Sequence, residues 1–314
     1  MTAYVDQIVG DGISEDEFSF FMGSYRPREV DVVHFYDVAG FLGGRRRTSE
    51  ERFAAATEIV EDVRSRGIAL IRTVIGSPER QDAAAALLDQ ATDRFVVLDR
   101  ATPTPDPQRT TFIPHAHHRE RFLGYPRGEK VPGRLLCIAR AGVGRSAEGP
   151  LKTFSVTDTP GLSLRVVGEE DPTIASTLSR AVRRNREAVS SRTEMLSDAE
   201  LIREIDGAEL VILPEVESLN DMGLLFTVLS MDRPVLMPDG PAARQLAEDV
   251  GAGWVMRHSG PITAESVDEA VGALRKSSRS ERPNLEGRDI SSTGESYAEV
   301  YREAKNRTAS VYRS

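Results

Sequence analysis

The sequence predicts an α/β protein of two Rossmann-like, doubly wound domains, and three observations carry that expectation. Short apolar runs alternate with amphipathic stretches through both halves, the pattern of parallel sheets flanked by helices. A polar break at 124–133 (GYPRGEKVPG), with three glycines and two prolines, falls between the halves and precedes a fresh β-α-β series. The stretch 208–238 (AELVILPEVESLNDMGLLFTVLSMDRPVLMP) reads as strand, acidic loop, helix, tight turn and strand. Its first run, Leu210-Val211-Ile212-Leu213, stops at Pro214, as expected for a strand covered on both faces.

Taken in order, the chain opens at 2–9 with a helix-like stretch. Strands are expected at 30–35, 68–75, 94–98 and 111–113. Between the first two, 49–66 is helical: Phe53, Ala56, Val60 and Val63 follow 3-4-3 spacing, and Gly67 ends the run. A short helix is expected at 83–91, and the Pro-rich 101–109 reads as loop. Beyond the break, strands are expected at 134–139, 162–167, 208–213, 234–237 and 253–256. Helices are expected at 172–189, 198–205, 223–231 and 242–250. The tail from 282 is polar and turns helical at 296–304. The resulting division is 1–128, 129–290 and a tail at 291–314.

Composition excludes several classes. At 39% hydrophobic and 28% charged, the chain has the balance of a soluble globular protein. A net charge of −9 argues against nucleic acid as the partner, because phosphate backbones need basic surface. No apolar run approaches the roughly 18 residues of a membrane span, and the N-terminus lacks a basic n-region, so a cytoplasmic location is expected. A single cysteine, Cys137, allows no internal disulfide; inside Leu135-Leu136-Cys137-Ile138 it reads as a buried small hydrophobe.

The groups that could carry chemistry cluster at strand ends. Arg140 and Arg145 flank Gly142 and Gly144 after the first strand of the second half, and Gly168 follows the next. Glu215, Glu217, Asn220 and Asp221 follow the strand at 208–213, and Asp221-Met222-Gly223 is expected to open a helix with Asp221 as its cap. In the first half, His34-Phe35-Tyr36-Asp37 ends a strand. Ile113-Pro114-His115-Ala116-His117-His118 holds three of the five histidines. No acidic or cysteine ligand follows those at metal spacing, so no metal is expected.

These motifs, in this order, resemble the GT-B-fold glycosyltransferases of the large group 1 (family four) type. The resemblance covers the chain from Thr2 to about Tyr301 and is stronger in the second half. It implies two domains facing across a cleft, with the C-terminal helix returning to the first. It implies transfer of a hexosyl unit from a nucleotide diphosphate sugar to a hydroxyl of a saccharide or glycoside, with no metal and no cofactor beyond that co-substrate. Arg140 and Arg145 would hold the diphosphate. Glu215 and Glu217 would hold donor hydroxyls, with Gly168 and Asp221-Met222-Gly223 facing the donor. His34, Asp37, His115 and His117 would line the acceptor side, Asp37 as base.

Each group keeps an ordinary alternative: solvated loops for the arginines and glutamates, a satisfied core residue for His34, backbone hydrogen bonds for His115 and His117. The chain also departs from the pattern. Ile75 stands where a histidine is usual, Thr227 where a second glutamate is usual, Ala139 for glycine, and Asp221 at the helix start. The family usually opens with a strand, whereas this sequence opens on the helix-like stretch; lack of that strand would leave a sheet edge suited to a homodimer. Arg45-Arg46-Arg47 offers a contact for anionic lipid, with a solvated loop as its alternative. Together these departures keep a second reading open, that of a catalytically impaired, glycosyltransferase-like partner subunit.

Overall fold

A computed structural model describes residues 2–9, 17–20, 24–25, 29–44, 46–75, 82–139, 147–169, 172–216, 219–276 and 278–312. Its strands are β1 (Val32–Phe35), β2 (Ala69–Val74), β3 (Arg94–Val97), β4 (Thr110–Phe112), β5 (Arg134–Ile138), β6 (Ser163–Val167), β7 (Val189–Arg192), β8 (Leu210–Ile212), β9 (Val235–Pro238) and β10 (Val255–His258). Its helices are α1 (Thr2–Val9), α2 (Val38–Phe41), α3 (Ser49–Ser65), α4 (Ala83–Ala91), α5 (Glu148–Phe154), α6 (Pro172–Arg184), α7 (Asp198–Gly207), α8 (Leu219–Ser230), α9 (Pro241–Val250), α10 (Ala264–Lys276) and α11 (Ile290–Tyr312). The chain forms two compact units, one of 1–116 with 287–314, the other of 117–286.

In the first unit four parallel strands lie in the order β1-β2-β3-β4. Alternation along the strands sends Val33, Phe35 and Leu70 to one face, where α2, α3 and α4 close a core over them. The helix α3 starts at a capping box: Glu51 N donates to Thr48 Oγ1 at 3.2 Å and Thr48 N donates to Glu51 Oε2 at 2.7 Å. It ends at Gly67, whose φ of 65° lets the chain leave the helix. The opposite face of the sheet, with His34 and Thr73, lies under α1 and α11.

In the second unit six parallel strands lie in the order β10-β9-β8-β5-β6-β7. The connections run outward from β5 through β6 to β7. They then return to the other side of β5 and run outward again through β8, β9 and β10, so the winding reverses between β5 and β8. Residues of β5 alternate between two cores. Leu136 and Ile138 join the layer of α7, α8 and α9, whereas Leu135 and Cys137 join that of α5, α6 and α10. Cys137 is buried, as its apolar neighbours predict. Each fully buried Leu, Ile or Val contributes about 1.5–3 kcal/mol, so two filled layers hold the central strands.

Several elements differ from the sequence reading. The helix expected at 172–189 stops at Arg184, and 189–192 pairs with β6 as an edge strand. Its buried face, Ile174 and Leu178, continues only to the half-buried Ala181 and Val182, and Asn185 Oδ1 accepts from Ala188 N at 3.2 Å, turning the chain instead. The tail helix runs over 290–312, because Tyr297, Val300, Ala304 and Thr308 repeat every three or four residues on a buried face. The helices α5 and α10 were not expected. The Gly- and Pro-rich stretch 124–133 packs onto the second unit: Gly128 N donates to Asp206 Oδ2 at 3.0 Å, and Arg127 Nε lies 2.8 Å from the same carboxylate. Among the described residues no helix is long and apolar enough to cross a membrane.

Candidate functional site

The winding reverses between β5 and β8, and the C-terminal edge of the sheet at such a reversal is where open α/β sheets take ligands. The loop after β5 leaves from Ala139; Arg140 and Arg145 lie outside the described residues. Gly168 follows β6 with φ of 95°, and its amide donates to Arg192 O at 3.0 Å. A Cβ on Gly168 would stand 2.5 Å from Ala139 O. Glycine is therefore required both for the positive φ and for the approach of the two strand ends. Gly168→Ala is expected to destabilise the second unit by about 2–3 kcal/mol, from the left-handed conformation and the backbone overlap together. A urea midpoint equal to the parent's would refute this.

Beyond β8, Glu215 is exposed at the same edge, and Glu217 lies outside the described residues. The helix α8 starts at Leu219, four residues before the expected start at Gly223. Leu219 is buried and begins the apolar repeat continued by Leu225, Phe226 and Leu229. Asp221 is therefore not the cap but lies inside the first turn, and it is buried. The unpaired amides of a helix start belong to its first residues, here through Asp221. Met222 and Gly223 lie within the hydrogen-bonded ladder, and Gly223 O accepts from Thr227 Oγ1 at 2.8 Å. The Asp221 carboxylate favours the helix dipole and opposes an anion at the same turn.

One part of this edge escaped the sequence reading. Asp239, at the end of β9, lies 2.5 Å from Arg244 Nη2 and 2.9 Å from Arg257 Nε. The hydrogen bond from Arg244, with that from Arg257, holds its carboxyl below the usual range. Gly240 and Pro241 follow and open α9. The Gly-Pro pair marks the start of this helix but carries no signal for the ion group before it.

In the first unit, His34 and Asp37 share the C-terminal end of β1 but differ in character. His34 Nδ1 lies 2.8 Å from Tyr301 Oη, and Nε2 lies 2.7 Å from Thr73 Oγ1. Thr73 Oγ1 in turn lies 2.6 Å from Tyr4 Oη. Both imidazole nitrogens thus tie the sheet to α1 and α11, and burial pushes the ring's pKa down to about 4. Asp37 is exposed just before α2 and makes no capping hydrogen bond. Its carboxylate lies over Gly40, where a Cβ would come within 2.6 Å of Oδ2. Ile75 follows β2 half-buried.

His115 and His117 fall on either side of the division between the units. His115 is fully buried, with Nδ1 donating to Ala116 O at 2.9 Å, and burial pushes its pKa down to about 4. His117 is buried in the second unit, where Nδ1 accepts from Arg119 N at 3.4 Å. Among the described residues no group of three His, Cys, Asp or Glu side chains is placed to hold a metal.

The two depressed histidines give a pH prediction. Near pH 6.5 an unfolded chain begins to protonate residues 34 and 115, whereas the folded chain does so only near pH 4. Stability is therefore full above about 6.5 and falls as pH drops toward 4, by about 1 kcal/mol per pH unit for each histidine. A urea midpoint that stays flat between pH 6.5 and 5 would contradict this, since ordinary carboxylates titrate lower.

Two helix-covered parallel sheets, the second wound in both directions about β5, define the chain as a protein of GT-B type. Among solved structures, a trehalose 6-phosphate synthase from Burkholderia multivorans matches with a TM-score of 0.57 at 11% identity, covering 86% of this chain and 78% of that one. An Anabaena protein, HepE, solved in complex with UDP, matches with a TM-score of 0.53 at 11% identity, over 91% and 79%. At such identities these show the fold alone.

By sequence, the chain is 31% identical over 225 residues to a GDP-mannose:glycolipid 4-beta-D-mannosyltransferase of Xanthomonas campestris pv. campestris. A second mannosyltransferase of the same description is 29% identical over 225 residues. The aligned stretch covers 72% of this chain and only 64% of each relative's length. No protein-family model matches. By fold and sequence together, the chain groups with the GT-B glycosyltransferases of the group 1-like type.

Proposed function

We propose that the chain transfers a hexosyl unit from a nucleotide diphosphate sugar to a hydroxyl of a saccharide or glycolipid, without a metal ion. The observation that carries this reading is the reversal of strand order at β5, where Gly168 and Ala139 are pressed together and α8 starts from the same edge. Such an edge suits a nucleotide, and a helix start suits its phosphates. In this reading Arg140 and Arg145 neutralise the leaving diphosphate, and Glu215 and Glu217 hold donor hydroxyls. The acceptor oxygen bonds to the anomeric carbon as the bond to the diphosphate breaks, and Asp37 takes the acceptor's proton. His115 and His117 shape the acceptor side.

The relatives' names suggest the finer form, GDP-mannose as donor and a glycolipid as acceptor, and with it a place in building a saccharide chain. A cytoplasmic location, a peripheral membrane contact through the exposed Arg46 and Arg47, and a homodimer belong to the same proposal.

A second reading, an impaired partner subunit, is favoured by the buried Asp221 in the first turn of α8. Calorimetric titration with GDP, UDP and GDP-mannose separates the two. Binding of one nucleotide, weakened about tenfold in Arg145→Ala, supports the donor site, since hydrogen bonds to charged groups contribute roughly 1.5–3 kcal/mol. No binding by any of the three puts the second reading first. Asp221→Ser is expected to tighten nucleotide binding; an unchanged affinity would clear Asp221 of opposing the diphosphate.

A further inference from the structure

The N-terminal edge of the second sheet, opposite the edge described above, gathers arginines. Glu209 leads into β8, Arg233 toward β9 and Trp254 into β10, while Arg275 and Arg279 come from the end of α10 and the segment after it. The acids here are already engaged. Glu209 holds Arg275 at 3.0 Å and the Gly133 amide. Asp206, fully buried, holds Arg127 at 2.8 Å and lies 3.6 Å from Arg233. Arg233 donates to the carbonyls of Asp206, Met231 and Asp232.

Among the described residues, no salt bridge joins Arg279 to an acid. The Arg279 guanidinium lies over the Trp254 ring, with Cζ 4.7 Å from the ring centre. Its Nε and Nη1 are buried, and no described residue accepts a hydrogen bond from either. Buried donors normally have partners. Burial, with the neighbouring Arg233, pushes this guanidinium's pKa down, and Glu209 only partly offsets that. A half-buried positive group thus has two buried donors with no acceptor among the described residues.

We propose that Arg279, beside Arg233 and over Trp254, forms a binding site for a phosphate-class oxyanion. Charge-assisted N–H donors of a guanidinium suit the oxygens of such an ion, and Nε and Nη1, on different edges, would each take one. The ion's charge would offset the repulsion between Arg279 and Arg233. The segment that carries Arg279 lies at the surface, exposed at Ser278, Ser280, Glu281 and Arg282. The site lies at the other end of the strands from the proposed donor edge and is independent of that reading.

Trp254 is the one tryptophan of the chain, so intrinsic fluorescence reads this site directly. The whole protein is titrated with sodium phosphate and, at matched ionic strength, with sodium chloride. A saturable change with phosphate and none with chloride is expected. Arg279→Gln should weaken the response at least about tenfold. Arg282→Gln should retain it, because that arginine is held 3.0 Å from Asp232. A sugar monophosphate and vesicles containing phosphatidic acid identify the source. A response to the first alone supports a soluble ligand at this site, and a response to the vesicles supports a lipid headgroup there. Equal responses to phosphate and chloride, or an Arg279→Gln protein that titrates like the parent, would overturn the assignment. Should that variant not fold, Arg279→Lys decides: it keeps the charge without the fork, so an unchanged response overturns the site and a weakened one supports it.

Discussion

Asp37→Asn is expected to lower the turnover number by about 10²–10⁴-fold, the usual contribution of a positioned general base, while leaving donor affinity unchanged. Asparagine keeps the shape of the side chain and loses the ability to take a proton. The local fold does not lean on the carboxylate: Asp37 is exposed and makes no capping bond to α2. Its position over Gly40 leaves it room that a larger residue at 40 would fill. His34, the other candidate at this strand end, is bonded at both nitrogens and held neutral by burial. Substituting His34 should therefore cost stability in the first unit before it costs proton transfer. The measurement is steady-state transfer from GDP-mannose to a glycolipid acceptor, with donor affinity taken from calorimetry. Turnover within threefold of the parent would remove Asp37 as the base.

Arg72→Met is expected to destabilise the first unit by about 3–5 kcal/mol, the cost of leaving a buried charge without its partner. Arg72 on β2 and Asp89 on α4 form an ion pair in which the two residues are 7% and 5% exposed. The pair is not fully satisfied, since Arg72 Nε and Asp89 Oδ2 are buried without a hydrogen-bond partner among the described residues. Replacing both residues by apolar ones of similar volume should thus recover most of the loss. Urea unfolding of Arg72→Met, Asp89→Leu and the double variant reads both effects. A single-variant loss under about 1 kcal/mol would mean that the pair behaves as an exposed one.

Much of the architecture was legible wherever local pattern and burial agree. The helix α4 runs over 83–91 as expected, because Asp82 caps it by accepting from Ala85 N at 2.8 Å and its short apolar face has one place to go. The strands β2, β3, β5 and β6 fall within one residue of the expected ends, since buried parallel strands are continuous apolar runs. The edge strand β7, Val-Ser-Ser-Arg, carries no such signal: the expected helix runs onto its first residue, and no strand is expected at the other three. The start of α8 was misplaced because Gly223 looked like a boundary, whereas the buried Leu219 sets the repeat.

The candidate site divides in the same way. Gly168 could be recognised from its place after a strand, because a tight turn there constrains only neighbouring backbone. The ion group of Asp239, Arg244 and Arg257 could not, because Arg257 reaches it from an adjacent strand. Nor could the roles of His34 and Asp37 be separated, since both follow the same apolar run.

By itself, then, the sequence determined the alternation of strands and helices, the two layers over a parallel sheet and the glycine that a strand end requires, all of which depend on residues a few positions apart. Only the tertiary structure decided that His34 is tied to Tyr301 and Thr73, that His115 is sealed from water, and that two donors of Arg279 are buried with no acceptor among the described residues. Those outcomes depend on which distant groups meet and on how much water is excluded where they do, and neither quantity is encoded in any one stretch of chain.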